Sequence, residues 1–320
     1  MSIYRDYLAG QQEFDRRKRN RKRRKILLML IFLVAVTGSI YCCHNKIDTP
    51  FTGGIEAALG SNAGNNISDN VVEVFDEIVA GNAGGMDWFS NAIAQIPILG
   101  DYSFGDRKLP IYSVDTEEKK IAISFDAAWG AEDFERIMEV LDAHNVKTTF
   151  FMTGGWVEAN PDCVKELVEK GHDLGNHSEH HYDMATLSKE EIESELMEVH
   201  DKVSELTGYD MKLFRPPYGS YNNEVIDTAY DCGYYPIQWS VDSLDWKDYG
   251  VKSIIDTVCN HEAMEPGAII LCHNGAAYTA DALDELLTNL ENQGYEFVKI
   301  SDLIMTENYH MDATGKQIAD

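Results

Sequence analysis

The sequence has no paired-cysteine motif. Its six cysteines (Cys42, Cys43, Cys163, Cys232, Cys259 and Cys272) form no CxxC pair and no regular framework. That excludes a zinc ribbon and gives no basis for a disulfide scaffold. Basic residues are scarce beyond the N-terminus. The first 43 residues carry ten Lys and Arg beside three acidic residues, and the remainder holds 17 basic against 51 acidic residues. A body that acidic cannot neutralise phosphates, so nucleic acid is excluded as a partner. It equally disfavours an anionic polymer held by charge alone. The acidic surface reads as a solvated one that keeps the chain soluble. No internal repeat and no dinucleotide-type glycine fingerprint is present.

What is there begins with a basic run, RRKRNRKRRK at 16–25, followed by the uncharged ILLMLIFLVAVTGSIYCC at 26–43. About 18 apolar residues suffice to span a bilayer with little tilt. The basic cluster before them holds the N-terminal end in the cytoplasm. Residues 1–25 are therefore expected as a cytoplasmic tail, 26–43 as an uncleaved transmembrane anchor, and everything beyond as extracytoplasmic. A cleaved signal peptide is the rival reading. Ser39-Ile40-Tyr41 is a poor cleavage site, and no lipobox precedes Cys42 or Cys43. Residues 44–110, rich in Gly, Asn and Ser turns such as GSNAGNN, read as a stem with one or two short amphipathic helices.

The 44% apolar and 25% charged fractions are those of a globular protein. From about Lys119, apolar runs alternate with stretches of helical period. IAISFD, KTTFFMTG, HDLGNH, MKLFRPP, YYPIQWSVD, GAIILCH and YEFVKI read as strands, separated by segments such as FERIMEVLDAH and KEEIESELMEVHDKVSELTG. Glycine closes several helices, and Pro161 opens one where a missing N–H costs little. Seven βα-like units imply an α/β fold with a parallel sheet. The expectation is a distorted (β/α)7–8 barrel, closed or incomplete, over residues 111–310, with 311–320 as a tail.

Asp126, His177, Arg215, Asp242 and His273 each fall at the C-terminal end of an expected strand. In a barrel those ends converge on the face where active sites are built. Five polar strand ends are hard to explain as core filler. His177 and His181 stand four apart in HSEHH, a spacing that lets two imidazoles reach one metal; His180 should then point away. Asp126, with Arg215 nearby, is suited to act as a general base. His273 is suited to act as the acid, with Asp245 as its partner and Trp246 as a flat apolar wall.

The ordered motifs SFD, HSEHH, FRPPYG, DSLDW and LCH resemble those of the NodB-homology polysaccharide deacetylases, carbohydrate esterase family 4. The similarity covers roughly residues 119–305 and is nearest to the sporulation-type membrane-anchored enzymes of Gram-positive bacteria. It implies a metal-dependent deacetylase acting on N- or O-acetyl groups of an acetylated amino-sugar polysaccharide, with peptidoglycan as the expected glycan. By the resemblance, Asp126 is the base, Arg215 its orienting partner, His273 the acid and Asp245 its tuner. His177 and His181 are the metal ligands, zinc being the implied divalent ion. Leu271 and Trp246 line the acetyl-methyl pocket, and the backbone N–H of Tyr218 helps hold the oxyanion. One position departs from the pattern: Ala127 stands where the family has a second, metal-binding Asp. Asp126 or Glu179 are the candidate substitutes. A glycan-binding domain without turnover is the reading that this departure favours.

Overall fold

The computed structural model describes residues 107–320. The expected tail, the anchor at 26–43 and nearly all of the stem lie outside the described residues. Among the described residues, no helix is long and apolar enough to cross a membrane.

The central element is β2 (Lys120–Ala127), preceded by the short β1 (Ser113–Val114). Side chains alternate across a strand. Ile121, Ile123 and Phe125 join one apolar cluster with the helices, which leaves Ala122, Ser124 and Asp126 on the opposite face. β2 is flanked on one side by β3 (Thr149–Met152), β4 (Asp173–Asn176), β5 (Leu213–Phe214) and β6 (Tyr235–Pro236). On the other side are β8 (Ile269–His273) and β7 (Val241–Asp242). The order is β6-β5-β4-β3-β2-β8-β7, every pairing is parallel, and β9 (Glu296–Phe297) adds to the start of β2. The result is a curled parallel half-barrel.

The helices form where the apolar period is helical. In α1 (Phe134–Ala143) the residues Phe134, Ile137, Met138 and Leu141 are buried on one stripe. Next come α2 (Gly154–Ala159) and α3 (Pro161–Glu169), the latter opened by its proline. The long α4 (Lys189–Thr207) starts with a Ser188/Glu191 capping box and stops at the left-handed Gly208. α5 (Asn223–Asp231), α6 (Val251–Cys259), α7 (Thr279–Asn292) and α8 (Ile300–Leu303) complete the set. The four described cysteines are free thiols.

Two expectations change. YYPIQWSVD is not one strand but two, β6 and β7, at opposite edges of the sheet. Pro236 and Gln238 turn to the incoming chain instead of to a strand neighbour. The Ile111 N–H donates to the Pro236 carbonyl, and the Gln238 N–H donates to that of Ile111. The edge strands carry no ladder to each other, so the (β/α)7–8 barrel is an incomplete one, a half-barrel. Residues 311–320 are not a loose tail either. β10 (Tyr309–Met311) and β11 (Lys316–Ala319) form a hairpin, and β11 pairs in parallel with β1. The buried Gln317 side chain anchors it to the backbone of Met305. A partner two hundred residues upstream leaves no local signature in the sequence.

Candidate active site

Asp126 and His273 lie at the C-terminal ends of adjacent strands, one residue short of the end in β2, and pair in register. The guanidinium of Arg215, fully buried just past β5, donates from Nη1 to Asp126 Oδ1 at 2.7 Å. Its Nη2 donates to Ser124 Oγ (2.9 Å) and to the Gln238 carbonyl (3.2 Å), and its Cζ lies 4.0 Å from the centre of the Phe151 ring. Burial pushes the Arg215 pKa down, and Asp126 opposes it. A planar donor with several fixed N–H groups suits such a junction of acceptors; an ammonium would not.

His273 is held as tightly. Its Nδ1 meets Asp245 Oδ1 at 2.7 Å, and its backbone N–H donates to Oδ2 at 2.7 Å. Thr279 Oγ1 and the Trp246 N–H also donate to the fully buried Asp245 carboxylate. Burial alone would lower the His273 pKa, but Asp245, with Asp126 and Asp242 adding, outweighs it and the pKa is raised. For Asp245, burial works upward, yet His273 and the hydrogen bonds bring the pKa down. The Trp129 ring stacks on His273 with centroids 5.5 Å apart.

His177 and His181 leave β4 in the loop that follows it. His177 Nδ1 donates to the Arg215 carbonyl at 2.7 Å, which makes Nε2 the lone-pair atom of the neutral ring. Burial lowers the pKa of both imidazoles, so both rest in the neutral form that ligates metal. Their Nε2 atoms lie 3.2 Å apart, and Asp126 Oδ2 is 3.5 Å from that of His177. A tetrahedral ion with nitrogen ligands at its usual distance separates them by about 3.3 Å. The two neutral imidazoles thus stand at the spacing of two ligands to one divalent ion, while among the described residues no group of three or more His, Cys, Asp or Glu is arranged to hold one.

Of the two candidate substitutes for the missing ligand, Asp126 places Oδ2 beside His177, whereas the Glu179 carboxylate is paired with Lys202 of α4. Ala127 is fully buried in the outer apolar cluster. His180 turns away from the pair, with Nδ1 2.7 Å from Glu195 Oε1.

Tyr218, in a left-handed conformation (φ 61°), packs edge-to-face with His181, with centroids 4.6 Å apart. Leu271 is in register with Ser124 and Asp242 and alternates onto the same face as His273. Trp246 is half-buried beside Asp245, with Lys247 Nζ 4.8 Å from its ring centre. Ser178, His181, Tyr218, Leu244 and Asp248 all have positive φ. Strained backbone on these site loops persists only because the surrounding structure over-determines it.

Sequence reasoning missed Ser124, Trp129, Asp133, Glu195 and Thr279. Trp129 follows the SFD motif closely enough to have been suspected. Asp133 accepts from the N–H of Gly275 and from Asn274, and so fastens the loop after His273 to α1. It and Thr279 act across long sequence separations, which no local pattern signals.

A curled parallel sheet thus carries a buried Arg–Asp pair, an Asp–His pair and two converging imidazoles near the C-terminal ends of its strands. The chain belongs to the polysaccharide deacetylase family, carbohydrate esterase family 4, and residues 113–237 match its family model. It is 35% identical to the peptidoglycan-N-acetylmuramic acid deacetylase PdaA of Bacillus subtilis, over 62% of this chain and 77% of that one. The solved structure of PdaA gives a TM-score of 0.57 at 36% identity, covering 61% and 84% of the two chains. A peptidoglycan-N-acetylglucosamine deacetylase of Bacillus cereus is 35% identical over 60% of this chain and 92% of its own. A pseudoenzyme of the family from Bacillus anthracis superposes with a TM-score of 0.59 at 34% identity, covering 65% and 70%. A mutant of that pseudoenzyme with restored activity is equally similar in fold, with a TM-score of 0.59. The family typically uses a divalent metal.

Proposed function

We propose that this protein is an extracytoplasmic N-deacetylase of cell-wall amino-sugar glycan, with peptidoglycan as its substrate. The observation that carries the reading is the register of Asp126 against His273, each locked by a buried partner of opposite charge.

Water adds to the acetyl carbonyl carbon as Asp126 accepts its proton. Arg215 holds Oδ1, which leaves Oδ2, on the side of the imidazoles, to take that proton. The tetrahedral oxyanion accepts a hydrogen bond from the Tyr218 N–H, a contact of the kind worth several kcal/mol. The C–N bond then breaks. His273, whose Nδ1 is committed to Asp245, delivers a proton from Nε2 to the departing nitrogen. The products are acetate and a free amino sugar. His177 and His181 would hold a divalent ion, and its chemistry there would be Lewis-acid polarisation of the acetyl carbonyl. Leu271 and Trp246 exclude water around the methyl group.

Acetate release from N-acetylated peptidoglycan tests the reading. Asp126→Asn and His273→Ala are each expected to lower turnover by about 10²-fold or more with the fold intact by circular dichroism. Near-wild-type turnover in both would remove the assignment. A second reading, a glycan-binding domain without turnover, is favoured by Ala127 and by the likeness to the pseudoenzyme. It predicts glycan binding by the wild type and no acetate release with or without zinc.

A further inference from the structure

Gln238 is 1% exposed, and its side-chain Nε2 has no hydrogen-bond partner. A buried amide donor left unpaired costs stability, so an apolar side chain of the same length would suit the fold better. The residue belongs to the short segment 237–240 that carries the chain from β6 at one edge of the sheet to β7 at the other.

Three contacts converge there. The Gln238 N–H donates to the Ile111 carbonyl at 2.7 Å, and the Ile111 N–H donates to the Pro236 carbonyl at 2.8 Å. The backbone of Gln238 is thereby pinned where the entering chain meets the open edge. Its own carbonyl accepts from Arg215 Nη2 at 3.2 Å. The side chain packs on the turn of residues 217–219: a Cβ built on Gly219 would lie 3.2 Å from Gln238 Oε1 and 3.1 Å from the Trp239 ring.

That turn is a demanding one. Tyr218 and Gly219 both have positive φ, 61° and 62°. A tyrosine stays in that conformation only where its surroundings confine it. Gln238 and Trp239 supply one wall of the confinement, and the centre of the Trp239 ring is also 5.6 Å from Arg215 Cζ. Gln238 is therefore fastened to both halves of the proposed reaction. Its carbonyl holds Arg215, which holds Asp126; its side chain backs the turn carrying Tyr218, whose N–H the proposed mechanism gives to the oxyanion.

We infer that Gln238 is a positioning residue of the active site, a wedge that keeps the Tyr218 turn in register with the Arg215–Asp126 pair. The inference rests on the proposed deacetylase reading and deepens it. Being buried, Gln238 acts through these neighbours and not on substrate. Its effect falls on the transition state, where the base and the oxyanion donor must both be in place.

The test compares full-length wild type, Gln238→Ala and Gln238→Met. Methionine keeps the length of the side chain and removes the unpaired donor, so that variant is expected to stay folded. Two measurements are made: kcat and KM for acetate release from N-acetylated peptidoglycan, and backbone hydrogen exchange of the segment 214–221. In that segment the Gly219 N–H donates to the Pro216 carbonyl and the Ser220 N–H to that of Pro217. Gln238→Ala is expected to lower kcat by about tenfold or more while KM changes less than about twofold. Exchange in the segment should quicken without a general rise elsewhere. Gln238→Met should restore both readouts. Should alanine unfold the chain, Gln238→Leu, one carbon shorter than glutamine, takes its place in both measurements. A shortened variant with wild-type kcat and exchange overturns the inference, and so does a kcat loss that methionine fails to restore. Absence of acetate release by the wild type sinks the deacetylase reading instead, and hydrogen exchange then decides the wedge alone.

Discussion

At the scale of single residues, the Asp245–His273 pair sets how the site responds to pH. The His273 pKa is raised, so the proton it donates is present at low pH and lost as pH rises through the folded-state value. Turnover should therefore fall on an alkaline limb. Asp245→Asn removes the carboxylate that raises the pKa, and the pH–rate profile should show that limb at lower pH. The pair also stabilises the fold. The raised histidine contributes fully below its unfolded pKa, and the lowered Asp245 contributes fully above its own. Their joint contribution is complete between about pH 4 and about pH 6.5.

Ala127 offers a second residue-scale test. A carboxylate there is buried, and without a counter-charge it costs about 3 kcal/mol. In chelator, Ala127→Asp should thus melt roughly 6–12 °C below wild type. A divalent ion bridging the new carboxylate and the imidazoles reverses this by mass action. Zinc is expected to raise the variant's melting temperature more than it raises the wild type's. Equal zinc shifts in the two proteins would show that position 127 does not reach the metal.

At the scale of elements, site precision comes from the joints between strands and helices. The turn after β8 depends on Gly275, whose φ of +83° is open to few other residues. A Cβ built there would lie 2.8 Å from the Trp129 ring, which stacks on His273. Its N–H is taken by Asp133 at the start of α1, so the turn cannot shift without breaking that contact. Gly275→Ala is expected to cost about 1–3 kcal/mol by denaturant titration. Because Trp129 must move, turnover should drop while KM changes less. Opposite the site, the buried Asp173 at the start of β4 ties α8 to the sheet. It accepts from the Ser301 N–H and hydroxyl, and Lys299 pairs with it. That joint lies at the far ends of the strands and serves stability.

For the whole molecule, the distribution of charge is the governing feature. From a basic N-terminus ahead of one apolar run, with an acidic remainder, we propose an anchored protein whose folded domain lies outside the cell. A reporter fused after Asp320 is expected to be active on the outer side, and the chain to stay in the membrane fraction. Recovery of a soluble, N-terminally trimmed protein would establish a cleaved signal in its place.

Much of the fold was legible because its signals are local. A parallel sheet buried on both faces writes itself as short apolar runs, and the helices between them carry their own caps, as Ser188, Glu191 and Gly208 do. The strand-end polar residues were equally visible, since position along a strand can be read from the run that precedes it. What tertiary structure alone decided is which chain segments meet. It split YYPIQWSVD between two sheet edges, left the barrel open where Ile111 enters, and recruited residues 309–319 as strands beside β1. It also turned Glu179 toward Lys202 and left Asp126 beside the two imidazoles, a choice the loop sequence leaves open. Such pairings depend on the pleat and curl of the whole sheet, and their partners lie tens to hundreds of residues apart, beyond any periodicity in the chain.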